Sequence, residues 1–335
     1  MNIEYIQPEG RIVKIRKRFS RSGLVVTAAA FVLIASACGV VPSTNAKDFV
    51  GGSIKPISQL KDASLTVSSK EYDEQLVLSQ IAITALQAAG ANVKDKTGLQ
   101  GTGTVRKALT SGQADLYWEY TGSAWFEILG QTETHPGREL YKKVSDMDLT
   151  TNKISWLAAA PMNDTYAVAV TKTFSEQTGI KSISDMAAYV EKNPAAGTMC
   201  VENEFLQRPD GLSGMKEKYG IQNIETKLMG VSVVYTQLAA GNTCNFGDIY
   251  STDGRIVGLN LIPLQDDKEF FPSYNPAVTL RQETLQKYPE IKGLLDPIVA
   301  KLDDKTITAL NAQAADGMKP RTIAVNWLKS NGFIG

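Results

Sequence analysis

Between residues 64 and 250, short apolar runs alternate with stretches in which apolar residues recur every three or four positions. The first rhythm marks strands and the second marks helices. Residues 64–69 (Ser-Leu-Thr-Val-Ser-Ser) read as a strand. Residues 73–89 carry Val77, Ile81, Ala85 and Ala88 at helical spacing and stop at Gly90. A helix over 105–110 leads to a strand around 114–117. The alternation continues through 166–171, 183–192, 199–202, 233–240 and 246–250. This order predicts an α/β fold with parallel sheets covered by helices. From Asn275 the pattern turns helical, with helices expected over 280–288, 291–302, 306–317 and 320–328. No repeat of solenoid length is present.

The N-terminus breaks the pattern. Arg11, Lys14, Arg16, Lys17, Arg18 and Arg21 precede an almost wholly apolar run over residues 24–37. A basic stretch followed by a short apolar one reads as an export signal over residues 1–37. The run is short for a membrane-spanning helix, which needs about 20 apolar residues; an uncleaved anchor is the competing reading. Cys38 follows Ala-Ser-Ala, an arrangement similar to a bacterial lipobox, although Ala35 stands where leucine is usual. Cleavage before Cys38 and a diacylglyceryl thioether on its sulfur would supply the two acyl chains that stable anchoring needs. Residues 38–62 then read as a tether.

Charge and composition narrow the function. The 335 residues suffice for two average domains. Lysine plus arginine number 35, as do aspartate plus glutamate, so nothing forms the basic footprint of a nucleic-acid binder. His135 is the single histidine, which removes most histidine metal sites and catalytic triads. It sits in a polar turn. Cys200 and Cys244, in an exported chain, form either a disulfide or two separate buried thiols, and the bridge is the favoured reading. Gly101-Thr-Gly103-Thr before a helix lacks the Lys-Ser/Thr ending of a P-loop and reads as a helix-entry turn. The acidic residues around Asp266 fit no calcium-loop spacing. No cofactor and no metal are expected.

Six motifs occur in order. They are Ser68–Gln75 (Ser-Ser-Lys-Glu-Tyr-Asp-Glu-Gln); Gly101-Thr-Gly-Thr-Val with Asp115–Ser123 (Asp-Leu-Tyr-Trp-Glu-Tyr-Thr-Gly-Ser); Asn163-Asp164-Thr165-Tyr166; Glu204-Phe205 with Arg208-Pro209-Asp210-Gly211-Leu212; Tyr250-Ser251-Thr252-Asp253-Gly254-Arg255; and Asp266-Asp267-Lys268 with Phe270-Phe271-Pro272-Ser273-Tyr274. Together, from about residue 64 to the end, they resemble the osmoprotectant-binding proteins of ABC importers, the family that takes glycine betaine, carnitine, choline or proline betaine. The resemblance implies a two-lobed periplasmic-binding-protein-like clamshell of type 2 topology, with the ligand cleft between the lobes. Lobe one would hold residues 63–162 and 255–335, and lobe two residues 163–254. It also implies a lipoprotein outside the cytoplasmic membrane, partnered by a membrane permease and its cytoplasmic ATPase.

A trimethylammonium group carries a full charge but no N–H, so aromatic faces suit it better than ordinary hydrogen bonds. The resemblance places a cage at Tyr166, Tyr250 and Tyr274, with one aromatic from Tyr117, Trp118 and Tyr120, of which Trp118 is preferred. Strand alternation puts Trp118 and Tyr120 on one face and Tyr117 on the other. The backbone carbonyl of Asp164 would face the cation. Lys70, Arg208 and Thr121 fall where the family holds a ligand carboxylate, and Gln75 would add a neutral contact. For Arg208 and Lys70 the alternatives are an inter-lobe ion pair and a solvated cap. Two other functions remain open at this point: the same fold binding another small solute such as an amino acid, and a secreted hydrolase using Asp253, Glu119 and Ser251. The hydrolase lacks a histidine partner and a Gly-x-Ser-x-Gly elbow.

Overall fold

The computed structural model describes Phe49 and residues 51–133, 135 and 137–335. The expected export signal (1–37), Cys38 and the first part of the expected tether lie outside the described residues. The rest of that tether is packed onto the fold. Leu60 is fully buried, and the backbone N–H groups of Ser53 and Ile54 donate to the carbonyls of Gly332 and Phe333 at 2.8 and 2.9 Å.

Among the described residues, strands form two five-stranded sheets. The first holds β1 (Ser64–Lys70), β2 (Asn92–Leu99), β3 (Leu116–Tyr120), β4 (Ile154–Ala159) and, from much later in the chain, β10 (Pro276–Arg281). Their order is β2-β1-β3-β10-β4. The second holds β5 (Tyr166–Thr171), β6 (Thr198–Val201), β7 (Glu225–Leu228), β8 (Phe246–Tyr250) and β9 (Leu261–Pro263), in the order β7-β6-β8-β5-β9. In each sheet the parallel strands run together and one long-range strand enters antiparallel: β10 between β3 and β4, and β5 between β8 and β9. The sheets are therefore mixed rather than purely parallel.

The chain passes from the first sheet to the second between β4 and β5, and returns between β9 and β10. The return lies later than the sequence suggests. A boundary at 254/255 assigns Leu261–Pro263 to lobe one, but these residues pair with β5 in the second sheet, Val170 opposite Ile262. A three-residue strand carries too little periodicity to be read from sequence.

Helix α1 (Asp73–Ala88) follows β1 directly. Asp73 and Glu74 sit in its first turn, where the helix dipole favours negative charge. It is apolar almost all round and is buried along its length, beneath the C-terminal helices α7 (Glu290–Val299), α8 (Asp304–Ala315) and α9 (Pro320–Ser330). Between α1 and these in chain order come, among others, α2 (Thr102–Thr110), α3 (Gly137–Asn152), α4 (Ile183–Lys192), α5 (Asn203–Gln207) and α6 (Val231–Ala240). The helix expected from residue 280 begins at Gln282 instead, because Leu280 and Arg281 complete β10 and Leu280 is fully buried in the first-sheet core.

Cys200 in β6 and Cys244, just before the parallel neighbour β8, are disulfide-bonded, with Cα atoms 5.7 Å apart. No described helix is long and apolar enough to cross a membrane.

Candidate functional site

Strand direction places the site. The C-terminal ends of parallel β1, β3, β6 and β8 and the N-terminal ends of antiparallel β5 and β10 all meet at the facing edges of the two sheets. Open α/β sheets form their ligand crevices at such ends. Lys70 closes β1, Tyr120 closes β3 and Tyr250 closes β8, while Tyr166 opens β5. The two chain crossings run beside this edge and are tied together. Tyr274 N–H donates to Asn163 Oδ1 at 2.6 Å, and Asp164 N–H donates to the Tyr274 carbonyl at 3.2 Å.

Five tyrosines converge here. Tyr166 and Tyr250 are directly paired across β5 and β8, and their rings stack with centroids 5.4 Å apart. Tyr274 meets Tyr166 edge-on at 5.5 Å. Tyr72, at the start of α1, stacks on Tyr250 at 5.3 Å and lies 6.4 Å from Tyr120. Burial pushes the phenol of every one of these tyrosines well up, so all five rings stay neutral with intact π faces. The cluster spans both lobes and the crossing between them. Each ring offers a negative quadrupole and apolar area together. The rings pack directly on one another, with centroids between 5.3 and 6.4 Å apart.

A cation already lies against the cluster. The Arg208 guanidinium sits 5.7 Å from the ring centroids of both Tyr166 and Tyr274. It forks onto Asp210 (Nε to Oδ1 2.9 Å, and Nη2 to Oδ2), donates to Ser123 Oγ at 3.1 Å, and lies 3.6 and 3.7 Å from Glu127 and Glu204. Burial works against this charge, but the Asp210 carboxylate it forks onto holds it firmly protonated. Ser123 and Glu127 belong to lobe one, so Arg208 is an inter-lobe ion-pair partner.

Lys70 is not a solvated cap. It is buried at 1% exposure, with Nζ 3.2 Å from Glu119 Oε1 and 5.3 Å from the Tyr120 ring. Burial opposes its charge, yet Glu119, with Glu204 and Glu127 beyond, raises its pKa above the ordinary lysine value. Glu119 in turn accepts from Tyr117 Oη at 2.7 Å and Tyr120 N–H at 2.8 Å.

Other expected residues are placed differently from the tyrosines. Trp118 packs in the lobe-one core against α1, and its Nε1 has no hydrogen-bond partner among the described residues. Tyr117 joins a separate core on the opposite face of β3. Tyr120 is the member of that trio that reaches the cluster, because it ends the strand. Gln75 is fully buried, accepting from Lys70 N–H at 3.2 Å and donating to the Trp118 carbonyl at 2.9 Å. Thr121 Oγ1 donates to the Ser273 carbonyl and accepts from Asn275 N–H, pinning the return crossing. The Asp164 side chain, expected only through its backbone, lies 2.6 Å from Thr252 Oγ1. Sequence reasoning missed Tyr72, although its motif was noticed; an aromatic at a strand-to-helix junction was the available signal. It also missed Glu74, whose role depends on partners 178 and 237 residues away, Thr252 and Asn311.

The architecture and cleft define a two-lobed solute-binding protein. Residues 63–330 match the family model described as the substrate binding domain of ABC-type glycine betaine transport systems, and the chain belongs to that family. It is 36% identical over 279 residues to the glycine-betaine-binding protein of Pseudomonas aeruginosa, covering 81% of this chain and 89% of that one. It is 32% identical over 278 residues to the glycine betaine-binding protein YehZ of Escherichia coli, covering 80% and 90%. The solved structure of apo YehZ from that organism superposes with a TM-score of 0.61 at 30% identity, over 81% of this chain and 99% of the other. The family is one of solute-binding proteins rather than enzymes, which makes a membrane permease and a small ligand its partners.

Proposed function

We propose that the chain is an extracytoplasmic receptor that delivers a quaternary-ammonium solute to an ABC permease, with the trimethylammonium group held by Tyr72, Tyr120, Tyr166, Tyr250 and Tyr274. The convergence of five neutral tyrosines from both lobes is the observation that carries this reading. On opening, the rings separate; on closing around a cation, each ring contributes about 0.5–2 kcal/mol. Trp118, Tyr117, Gln75 and Thr121 act behind the site as its frame. In the same reading the precursor is exported, cut before Cys38 and anchored by lipid on that sulfur.

The anionic end of the ligand has a different status. Arg208 and Lys70 each have carboxylates of their own. A betaine or carnitine carboxylate therefore competes with Asp210 for Arg208 and with Glu119 for Lys70, whereas the hydroxyl of choline needs neither. Calorimetric titration with glycine betaine, proline betaine, carnitine and choline tests the proposal. Heat of binding with at least one, weakened at least severalfold by Tyr166→Ala and by Tyr250→Ala, is expected. Silence with all four at millimolar concentration refutes it. Binding that survives both substitutions would instead support a different small solute in the same cleft. A bulkier trimethylammonium betaine belongs in the same titration: the chain is 29% identical, over 306 residues and 51% of the relative's length, to the ergothioneine transport permease/ergothioneine binding protein EgtU of Helicobacter pylori, and ergothioneine carries that group.

A further inference from the structure

Beside the tyrosines lies a cluster that cation binding alone does not explain. Glu74, on α1 of lobe one, and Asp164, on the outgoing crossing, are both buried, at 4% exposure each. Thr252, just past β8 in lobe two, stands between them. Its single hydroxyl oxygen lies 2.6 Å from Glu74 Oε2 and 2.6 Å from Asp164 Oδ1. A threonine hydroxyl has one proton to donate. Two carboxylate oxygens cannot both accept it, so one of the two carboxyls carries a proton, donated to the hydroxyl or directly to the other carboxyl, with which it is also hydrogen-bonded.

The surrounding donors decide which carboxyl is the acid. Glu74 accepts from Tyr120 Oη at 2.8 Å and from Asn311 Nδ2, on α8, at 2.7 Å. Asp164 has Thr252 and Glu74 itself as its side-chain partners, and neither is a fixed donor like Asn311. The charge therefore belongs on Glu74 and the proton on Asp164. Burial first, then Glu74, pushes the Asp164 carboxyl well above its usual range, in agreement with that assignment.

The charged and titratable groups packed around the pair offer no relief. Tyr72 and Asp73 face it from α1, Tyr120 from β3, Tyr250 from β8 and Tyr235 from α6. Asp253 adds a further negative charge. Arg255 is the near cation, and its guanidinium is bound to Asp253 and Asp73 and stacked on Tyr235 at 4.5 Å.

We propose that Glu74 and Asp164 share one proton across the lobe interface and that this proton permits the lobes to close, so solute binding is linked to proton uptake. The proposal rests on reading the cleft as a solute site. In the closed form the pair, Thr252 and Asn311 join both lobes; deprotonation places two buried like charges around one hydroxyl. In the open form both carboxyls meet water and titrate in their ordinary range. The sign follows. A carboxyl whose pKa is raised on closing favours closure fully below its ordinary pKa, and loses that advantage as pH rises. One proton gives a tenfold fall in the closing constant per pH unit between the ordinary value and the raised one.

The test is small-angle scattering on the protein without added solute, from pH 5 to pH 9, beside calorimetry with glycine betaine and choline in buffers of different ionisation enthalpy. The expected result is a radius of gyration that grows with pH and, with whichever solute binds, uptake of up to one proton. Asp164→Asn keeps a donor toward Thr252 and should flatten the scattering profile. Glu74→Gln removes the other charge and should flatten it too, which covers the case of an unstable Asp164 variant. A pH-independent radius in the wild type overturns the proposal, as do variant profiles parallel to it. Solute binding with no proton taken up overturns it while leaving the receptor reading intact. A pH-dependent radius with no solute bound supports the shared proton and removes the receptor reading.

Discussion

Replacing Glu119 by glutamine isolates Lys70 in a dry site. The pair is 3.2 Å apart, and neither side chain is more than 2% exposed. At an effective dielectric constant of about 20, two unit charges at that distance attract by about 5 kcal/mol. The cost of taking both from water offsets much of this, so the pair itself adds little net stability. Removing one partner is different, because a buried charge is left alone, at a cost of about 3–5 kcal/mol. Glu119→Gln should therefore lower the urea midpoint substantially, and Lys70→Met combined with Glu119→Gln should recover most of the loss. Function should move the other way. With Glu119 neutral, Lys70 is the unpaired cation at the end of β1, and a ligand carboxylate becomes its best partner. The affinity ratio of glycine betaine to choline, read by calorimetry, should rise at least tenfold in Glu119→Gln. An unchanged urea midpoint would show that Lys70 is not dependent on Glu119. An unchanged ratio would show that Lys70 does not face the ligand's anionic end.

Three further outcomes follow from particular contacts. A Cβ on Gly122 would clash with one edge of the Tyr274 ring, 2.6 Å from Cδ1 and 2.8 Å from Cζ, so Gly122→Ala should displace that ring and weaken solute binding severalfold in a titration, with a smaller effect on melting temperature. Cys200→Ala with Cys244→Ala opens a 44-residue loop and should cost about 4 kcal/mol in chain entropy, measured by urea unfolding against the oxidised protein. Burial, with Glu204 beside it, pushes the Glu202 carboxyl up to about 7. A raised carboxyl stabilises most below its ordinary value, so unfolding midpoints of the wild type should fall as pH goes from about 5 to 7, and Glu202→Gln should lose that part of the slope.

Much of the fold was legible because strong local periodicity coincided with burial. The α1 pattern of Val77, Ile81, Ala85 and Ala88 gave the helix within one residue, and strands β5 and β8 and helix α4 match their expected bounds. What failed was non-local. Strand β2 is a polar edge, Asn-Val-Lys-Asp-Lys-Thr-Gly-Leu, with no alternation to detect. Strand β10 looked like the beginning of a helix because its identity as a strand comes from β3 and β4, more than a hundred residues earlier. The tyrosines at strand ends were recoverable from motif and position. The selection of Tyr120 over Trp118 was not, since alternation places them on the same face and the end of β3 decides which one faces the other lobe. The partners of Lys70 and Arg208 were equally hidden: a sequence shows that a cation is present, but not that a carboxylate has been folded against it.

The pairing of Asn163 with Tyr274 has a mechanical consequence. Two crossings fastened side by side leave the lobes a single axle, which permits swinging and resists sliding. Tyr274 hangs on that axle, and the end of β8 that carries Tyr250 is fastened to it as well, since Ser251 Oγ donates to the Asn163 carbonyl at 3.0 Å. A ring on the axle sweeps the shortest arc, so it is the fixed jaw of the clamp.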